Sequence, residues 1–499
     1  MSELVLAVDL GTTAMKVGLF THDGARVAHA ACPYPTHRQA SGFAEQSSQD
    51  WWAALRTCLT QLSRVGDLRC VVAIGVVSQV NTHVCVDAAQ DALGAAIVWS
   101  DQRAEIQAGE LSTHPQRSAV LGDVKPDASH LLARARWWSQ HTQDTWRRTR
   151  WILLPKDYLV LRLTDRAATD PISSIGLVDA DGQYFTGMDE LVGGVTARLP
   201  SLRSPDEVVG KICPEVAADL GFAEGTVVVA GTLDGYASAL GSGLDGAGAA
   251  MDVGGTSEVV GVLSRRPAAP AGAVAFPWHD GLSLHAGPTQ AGGDALRWWS
   301  NAAGTSVEDT LQRASTARPG SGGVVFLPHL AGQRAPLWDA SLRGAFLGVS
   351  LDTGGAELAR AVLEGVAYSA RQLLDVLGDA AGVPLTGVMC SGAGSRSDVW
   401  CQIKADVLGL PVRRLTLADS GELGAALLAG VAAGWYPATA AMVSAVKVER
   451  EFEPRPTATE RYAKLYELYE GSTAGLRWFT DGLAAWRLEL PPEPGETKA

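Results

Sequence analysis

The chain has 499 residues, 46% hydrophobic and 19% charged, a balance that suits roughly two or three globular domains with sizeable cores. Its formal charge of −13 leaves no basic excess to displace counterions, which excludes nucleic acid or an anionic membrane surface as a partner. Seven scattered cysteines, with no Cys-x-x-Cys pair, exclude a disulfide framework and fit a reducing cytoplasm.

The first predicted element is an apolar run from Leu4 that reaches Asp9, turns through Gly11, Thr12 and Thr13, and resumes through Lys16 to Phe20. The pattern predicts a β-hairpin, followed by a third strand over residues 26–32. Backbone N–H groups and hydroxyls in a Gly-Thr-Thr turn suit phosphate oxygens, and the carboxylate of Asp9 suits Mg²⁺. A lone hairpin with a polar turn carries no such message. Lys16 either faces these phosphates or faces solvent from its strand.

A helix follows from Gln49, with apolar spacing through Leu55, Leu59 and Leu62. Residues 71–77 read as a buried strand that leads into Gln79, Val80 and Asn81. Short strands over residues 84–87 and 95–99, a helix over 131–140, a strand over 151–154 and a helix opening at Pro155 come next. Val227 to Ala230 forms another buried strand, ending in Gly231-Thr232-Leu233-Asp234-Gly235. The glycine-flanked turn brings the Asp234 carboxylate to a sheet edge. Alternatively, Asp234 merely caps the following helix.

The Gly/Ala-rich residues 245–250 mark a domain boundary. Just beyond it the opening motif repeats: Asp252, then Gly254, Gly255, Thr256 and Ser257, then an apolar run to Leu263. A repeat at this distance predicts two related α/β domains closing on one nucleotide, with boundaries at 1–247 and 248–488. A long amphipathic helix is predicted over 357–377 and a strand ends at Ser391. Residues 397–408 read as a helix, with Ser395-x-x-Asp398 as its capping box and Gly409 at its far end. Residues 423–436 are about half of a membrane span and read as a buried helix. The tail, 489–499, is polar and proline-rich and predicts disorder.

Several stretches together resemble the FGGY carbohydrate kinases, and within them the xylulokinase-like branch. Gly344 to Val349, a spacer, then Glu357 to Glu364 fits the family's carboxy-terminal signature, and Phe326 to Pro336 resembles the loop before it. Leu153 to Leu159 is similar to a segment of the branch, and Gly392 to Trp400 resembles the adenosine motif. The chain departs from the branch at Val80-Asn81, where Met-His-Gly is usual after the Gln, and at Gly235, where Asn is usual. Arg134 stands where the family has Lys.

The resemblance implies two actin-like (ribonuclease H-like) domains around a nucleotide cleft and an ATP- and Mg²⁺-dependent kinase. It implies that Asp234 is the general base and that Asp9 holds Mg²⁺. Thr12, Thr13, Gly255 and Thr256 would hold phosphates, and Gly394 and Ser395, with Asp398 nearby, the adenosine. Gln79, Val80, Asn81, Trp99, Asp101 and Arg103 would meet the sugar, a small ketose such as the pentulose D-xylulose. Trp99 is equally readable as core, and the tryptophan pairs 51/52, 137/138 and 298/299 as helix packing. Two other readings stay open: a kinase of another acceptor (a tetrulose, alditol or autoinducer-type molecule), and an actin-like ATPase module without a sugar. A cytoplasmic enzyme, with a homodimer as one arrangement, completes the expectation. Gly241 to Gly246 spells G-x-G-x-x-G, but it joins no strand to a helix, and no P-loop sequence occurs.

Overall fold

The computed structural model describes residues 3–39 and 42–489; the predicted tail lies outside the described residues except for Glu489, which ends the last helix, Arg477–Glu489. The chain divides into two compact units: Met1–Gly241 with Gly421–Ala445, and Ser242–Ser420 with Val446–Ala499. Among the described residues no helix is long and apolar enough to cross a membrane.

The first unit is built on a sheet in the order Val208–Lys211, Val227–Val229, Val71–Ser78, Leu4–Leu10, Ala14–Phe20, Arg26–Pro33, with Thr232–Leu233 also pairing on Val71–Ser78. Leu4–Leu10 is parallel to Val71–Ser78 and antiparallel to Ala14–Phe20. Its near-continuous apolar run follows from burial on both faces. Leu6, Val8 and Leu10 join Ile74 and Val76 in one core cluster with Leu55 and Leu59 of helix Ser48–Leu62 and Leu159 and Leu163 of helix Pro155–Thr164. The fully buried stripe Trp51, Leu55, Leu59, Leu62 has helical spacing, and each such side chain contributes about 1.5–3 kcal/mol. Ser47 caps the helix, accepting from the Gln49 N–H.

The other face is covered by a segment from far along the chain. Helix Ser420–Ala432 lies so close to Val71–Ser78 that a Cβ on Gly75 would fall 2.0 Å from the Ala425 carbonyl oxygen. Only glycine permits that approach.

The second unit repeats the plan. Its sheet runs Val274–Pro277, Ser283–Pro288, Glu258–Ser264, Ala250–Gly254, Val388–Ser391, Val412–Leu415, Val448–Phe452. As in the first unit, an antiparallel hairpin continues into two parallel strands and then an antiparallel one. The repeated hairpin motif therefore reports a repeated sheet. Against it lies Gly355–Ala381, where a Cβ on Gly365 would fall 2.3 Å from the Phe326 carbonyl oxygen. The neighbouring Glu364, buried, accepts from Arg360, Tyr462, Ser321 and the Gly320 N–H. That explains Arg360 and Glu364 of the signature as architecture.

Candidate active site

In the first unit, three polar turns emerge at the carboxyl ends of adjacent parallel strands, where α/β sheets bind their ligands. Asp9 and Leu10 register with Val77 and Ser78, and Thr232 and Leu233 register with the same two residues from the other side. The turns Gly11–Thr13, Gln79–Asn81 and Asp234–Gly235 therefore share one end of the sheet.

Asp234 opens the helix Asp234–Gly241 and is half-buried, with the Gly235 N–H donating to its Oδ1 at 2.7 Å. Burial pushes its carboxyl up to about 6, the backbone donors opposing. The turn before it is rigidly specified. Gly231 has φ 68°, and a Cβ there would lie 1.6 Å from the Val76 carbonyl oxygen. Buried Lys156 donates to the Ala230 carbonyl and pairs with Asp157 at 2.7 Å and Asp170 at 2.9 Å, while Asp170 accepts from the Thr232 hydroxyl. These two carboxylates outweigh burial and hold the Lys156 ammonium above its ordinary range.

Asp9 is half-buried on the sheet face that carries helix Ser420–Ala432; a Cβ on Gly421 would fall 3.5 Å from its Oδ2. Lys16 is its cross-strand partner. Thr12 is tied three times: its carbonyl accepts from Gln46 Nε2 at 2.7 Å and from the Thr36 hydroxyl at 3.3 Å, and its hydroxyl from Trp99 Nε1 at 3.1 Å. Thr13 is exposed at the tip, its carbonyl accepting from the Tyr34 N–H, and the Tyr34 hydroxyl donates to the Gly11 carbonyl.

The six residues expected at the sugar separate into two groups. Gln79 is buried, Val80 and Asn81 are half-buried, and Trp99 is 39% exposed with its indole N–H engaged, so it is not a core residue. Asn81 has φ 52° and donates to Ser129. Asp101 differs: fully buried, it accepts from the Ala44 N–H and from the Arg103 backbone N–H, Nε and Nη2. Arg103 also donates to Glu45 and lies 4.1 Å over Phe43. With four bonds on one carboxylate, Asp101 is committed to holding Arg103 and the Ala44 backbone. Arg134 is likewise committed through its guanidinium, donating to the carbonyls of Asn81, Ile97, Val98 and Ala128. Burial pulls it down to about 9.

In the second unit the tip Gly254–Ser257 receives the start of helix Gly293–Ala302: the Gly293 N–H donates to the Gly255 carbonyl and the Asp294 N–H to that of Thr256. Arg297 reaches the Thr256 hydroxyl at 3.3 Å and Arg334 the Ser257 hydroxyl at 3.0 Å. Gly392, with φ 85°, passes so close that a Cβ would lie 2.3 Å from the Gly254 carbonyl oxygen. The hairpin tip and the Gly392–Ser395 turn therefore form one surface. Gly394 packs over Trp400. The predicted capping box is not formed: Ser395 donates instead to the Gly392 carbonyl, and Ser397, in extended backbone, caps the helix Asp398–Leu408 by accepting from the Trp400 N–H. Asp398 pairs with Arg414 at 2.6 Å and Arg450 at 2.5 Å.

The repeat has diverged at its acid. Asp252 pairs with buried Lys404 at 2.6 Å, and Lys404 also holds Glu258. Burial and then the Asp252 charge push the Glu258 carboxyl up to about 8. Sequence reasoning missed Lys404, Glu258, Arg334, Lys156 and Gln46, because each acts through a partner distant in the chain.

Residues 4–241 match the amino-terminal domain of the FGGY family of carbohydrate kinases, and residues 250–433 its carboxy-terminal domain. The chain is 31% identical over 478 residues to a xylulose kinase of Escherichia coli (strain K12), covering 92% of this chain and 96% of that protein. It is 25% identical over 490 residues to a gluconokinase of Bacillus subtilis (strain 168), covering 94% and 95%. The crystal structure of xylulose kinase from Rhodospirillum rubrum superposes with a TM-score of 0.84 at 26% identity, covering 96% of this chain and 100% of that one.

Proposed function

The chain belongs to the FGGY family of carbohydrate kinases and is a sugar phosphotransferase, and we propose that its acceptor is a small ketose, a pentulose such as D-xylulose, phosphorylated on its terminal hydroxyl. The observation that carries the reading is Asp234: a half-buried carboxyl lifted to about 6, at the strand ends beside the Gln79–Asn81 turn. A base of that pKa takes a hydroxyl proton better than an ordinary aspartate of about 3.9, and it is still ionised at neutral pH. Phosphoryl transfer otherwise needs positioning and charge neutralisation.

Thr12 and Thr13, with Gly255 and Thr256, hold the phosphates of ATP, the family's donor; Gly394 and Ser395 hold its adenosine, with Asp398 fixing the nearby arginines. Mg²⁺ fits at Asp9: the donor is a hard carboxylate oxygen, and side-chain-free Gly421 leaves space beside it. When bound, Mg²⁺ neutralises phosphate charge. Gln79, Val80, Asn81 and Trp99 face the sugar, with Asp101 and Arg103 supporting them. Residues 1–247 and 248–488 are the amino- and carboxy-terminal domains, with Gly421–Ala445 of the second packing into the first unit, and the enzyme works in the cytoplasm. Coupled ADP-release assays across pentuloses, tetruloses, hexuloses and alditols test the acceptor. No stimulation by any of them would sink the reading.

An acceptor other than a pentulose is favoured by one observation. Asn81 bonds to Ser129 from a left-handed backbone, which leaves a pocket wall unlike the imidazole of the branch. Higher turnover on a tetrulose or an alditol than on D-xylulose in the same screen would select it.

A further inference from the structure

We propose that Trp51 and Gln46 set the polarity of Gln79, so that the sugar side of the first unit presents a buried hydrogen-bond acceptor for a substrate hydroxyl. An indole N–H can donate but never accept. Trp51, fully buried, donates from Nε1 to Gln46 Oε1 at 3.2 Å. This identifies the oxygen end of the Gln46 amide, and its other end agrees. Gln46 Nε2 donates to the Thr12 carbonyl and to the Thr36 hydroxyl, each at 2.7 Å.

The same Gln46 oxygen accepts from Gln79 Nε2 at 2.9 Å. The Gln79 amide is thereby fixed with its nitrogen inward, and its Oε1 must face the other way. Gln79 is 2% exposed, and that Oε1 has no hydrogen-bond partner among the described residues. Gln79 begins directly after Val71–Ser78, whose Ser78 registers with Leu233, one residue before Asp234. The backbone of Gln79 thus lies beside the turn that carries the base.

A buried acceptor without a donor is costly, and sites built around one reject analogues that cannot supply it. The relay rests on the reading of this unit as the acceptor side of a sugar kinase, and adds a selection rule to it. At one carbon the substrate must offer a hydroxyl that donates; fluorine or a carbonyl oxygen there is refused. Gln46 is a positioning residue, and it ties that rule to the Thr12 turn through the same amide.

The test uses D-xylulose and its mono-deoxyfluoro analogues, since fluorine replaces a hydroxyl without donating. In the wild-type enzyme, one position of the series is expected to lose at least ~10-fold in kcat/KM relative to the hydroxyl. Gln46→Met releases the Gln79 amide to turn its nitrogen outward, and the discrimination should fall to within ~3-fold. Gln46→Glu keeps an acceptor for both Trp51 and Gln79, and should retain the discrimination even where its overall activity drops. Wild-type discrimination surviving in Gln46→Met, or no sensitive position in the series, overturns the relay.

Absence of wild-type turnover on D-xylulose would overturn the substrate reading alone, because the relay is also read without sugar. The indole N–H resonance of Trp51, assigned with Trp51→Phe, should shift and exchange at least ~10-fold faster in Gln46→Met, but not in Gln46→Glu. An unmoved resonance overturns the relay independently.

Discussion

Asp9 and Asp234 stand on opposite sides of one strand: Asp9 and Thr232 both register with Val77, and Asp234 follows Thr232 by two residues. Neighbouring strands lie ~4.8 Å apart, so the two backbones are roughly 10 Å from each other at the level of Val77. Burial, not the charge of Asp9, is what lifts the Asp234 carboxyl. The two acids can therefore hold separate tasks.

Asp234→Asn is expected to lower kcat by ~10²–10⁴-fold, the usual contribution of a positioned general base. Nucleotide affinity, measured by calorimetry with a non-hydrolysable analogue, should change little. Near-normal turnover in a folded Asp234→Ala protein would remove the base assignment.

The pH profile should report the same carboxyl. Only the ionised form accepts a proton, so kcat/KM should fall about tenfold per unit below pH ~6 and level off above it. An acidic limb nearer 4 would mean that Asp234 is fully solvated in the working enzyme.

Stability should move in the opposite direction from activity. A carboxyl whose folded pKa lies above its unfolded value favours the native state while protonated, and that advantage is lost as pH rises from about 3.8 to about 6. Two pH units correspond to about 2–3 kcal/mol, an upper bound for a half-buried group. Urea unfolding of Asp234→Asn should therefore give a more stable protein than wild type at pH 8, with the difference vanishing near pH 4.

In the second unit, Lys404→Met would leave Asp252 and Glu258 facing each other without their cation. A broken buried ion pair typically costs about 3–5 kcal/mol. Nucleotide binding should weaken as well, since both acids flank the Gly254–Ser257 tip. Adding Asp252→Asn removes the stranded charge and should recover part of the loss, in a denaturation experiment on all three proteins at pH 7.

The sheets were legible because strands buried on both faces must be apolar throughout, as Leu4–Leu10 and Val71–Ser78 are. The hairpin repeat was legible for another reason: Asp, Gly and Thr interrupt those runs at the same place twice. The bonding of Asp101 was not legible, because a carboxylate looks the same in sequence whether its lone pairs are open or engaged with Arg103 and Ala44. Ser395 misled because two serines, at 395 and 397, precede the helix, and only backbone conformation decides which one caps it. Lys156, Lys404 and Gln46 were invisible because the partners that explain them come from elsewhere in the chain.

The return of Gly421–Ala445 to the first unit has a consequence for biosynthesis. The strand Val71–Ser78 and the helix Asp234–Gly241 both await this segment; a Cβ on Gly424 would lie 2.0 Å from the Ala237 carbonyl oxygen. Between Gly241 and Gly421 the ribosome must add roughly 180 residues, which takes ~10–35 s at ordinary elongation rates. Throughout that interval the nascent first half lacks Leu423, Leu427 and Leu428, all buried in the finished protein. An amino-terminal fragment ending at 247 should accordingly aggregate or recruit chaperones, whereas supplying residues 421–445 as a tethered segment should return it to solution.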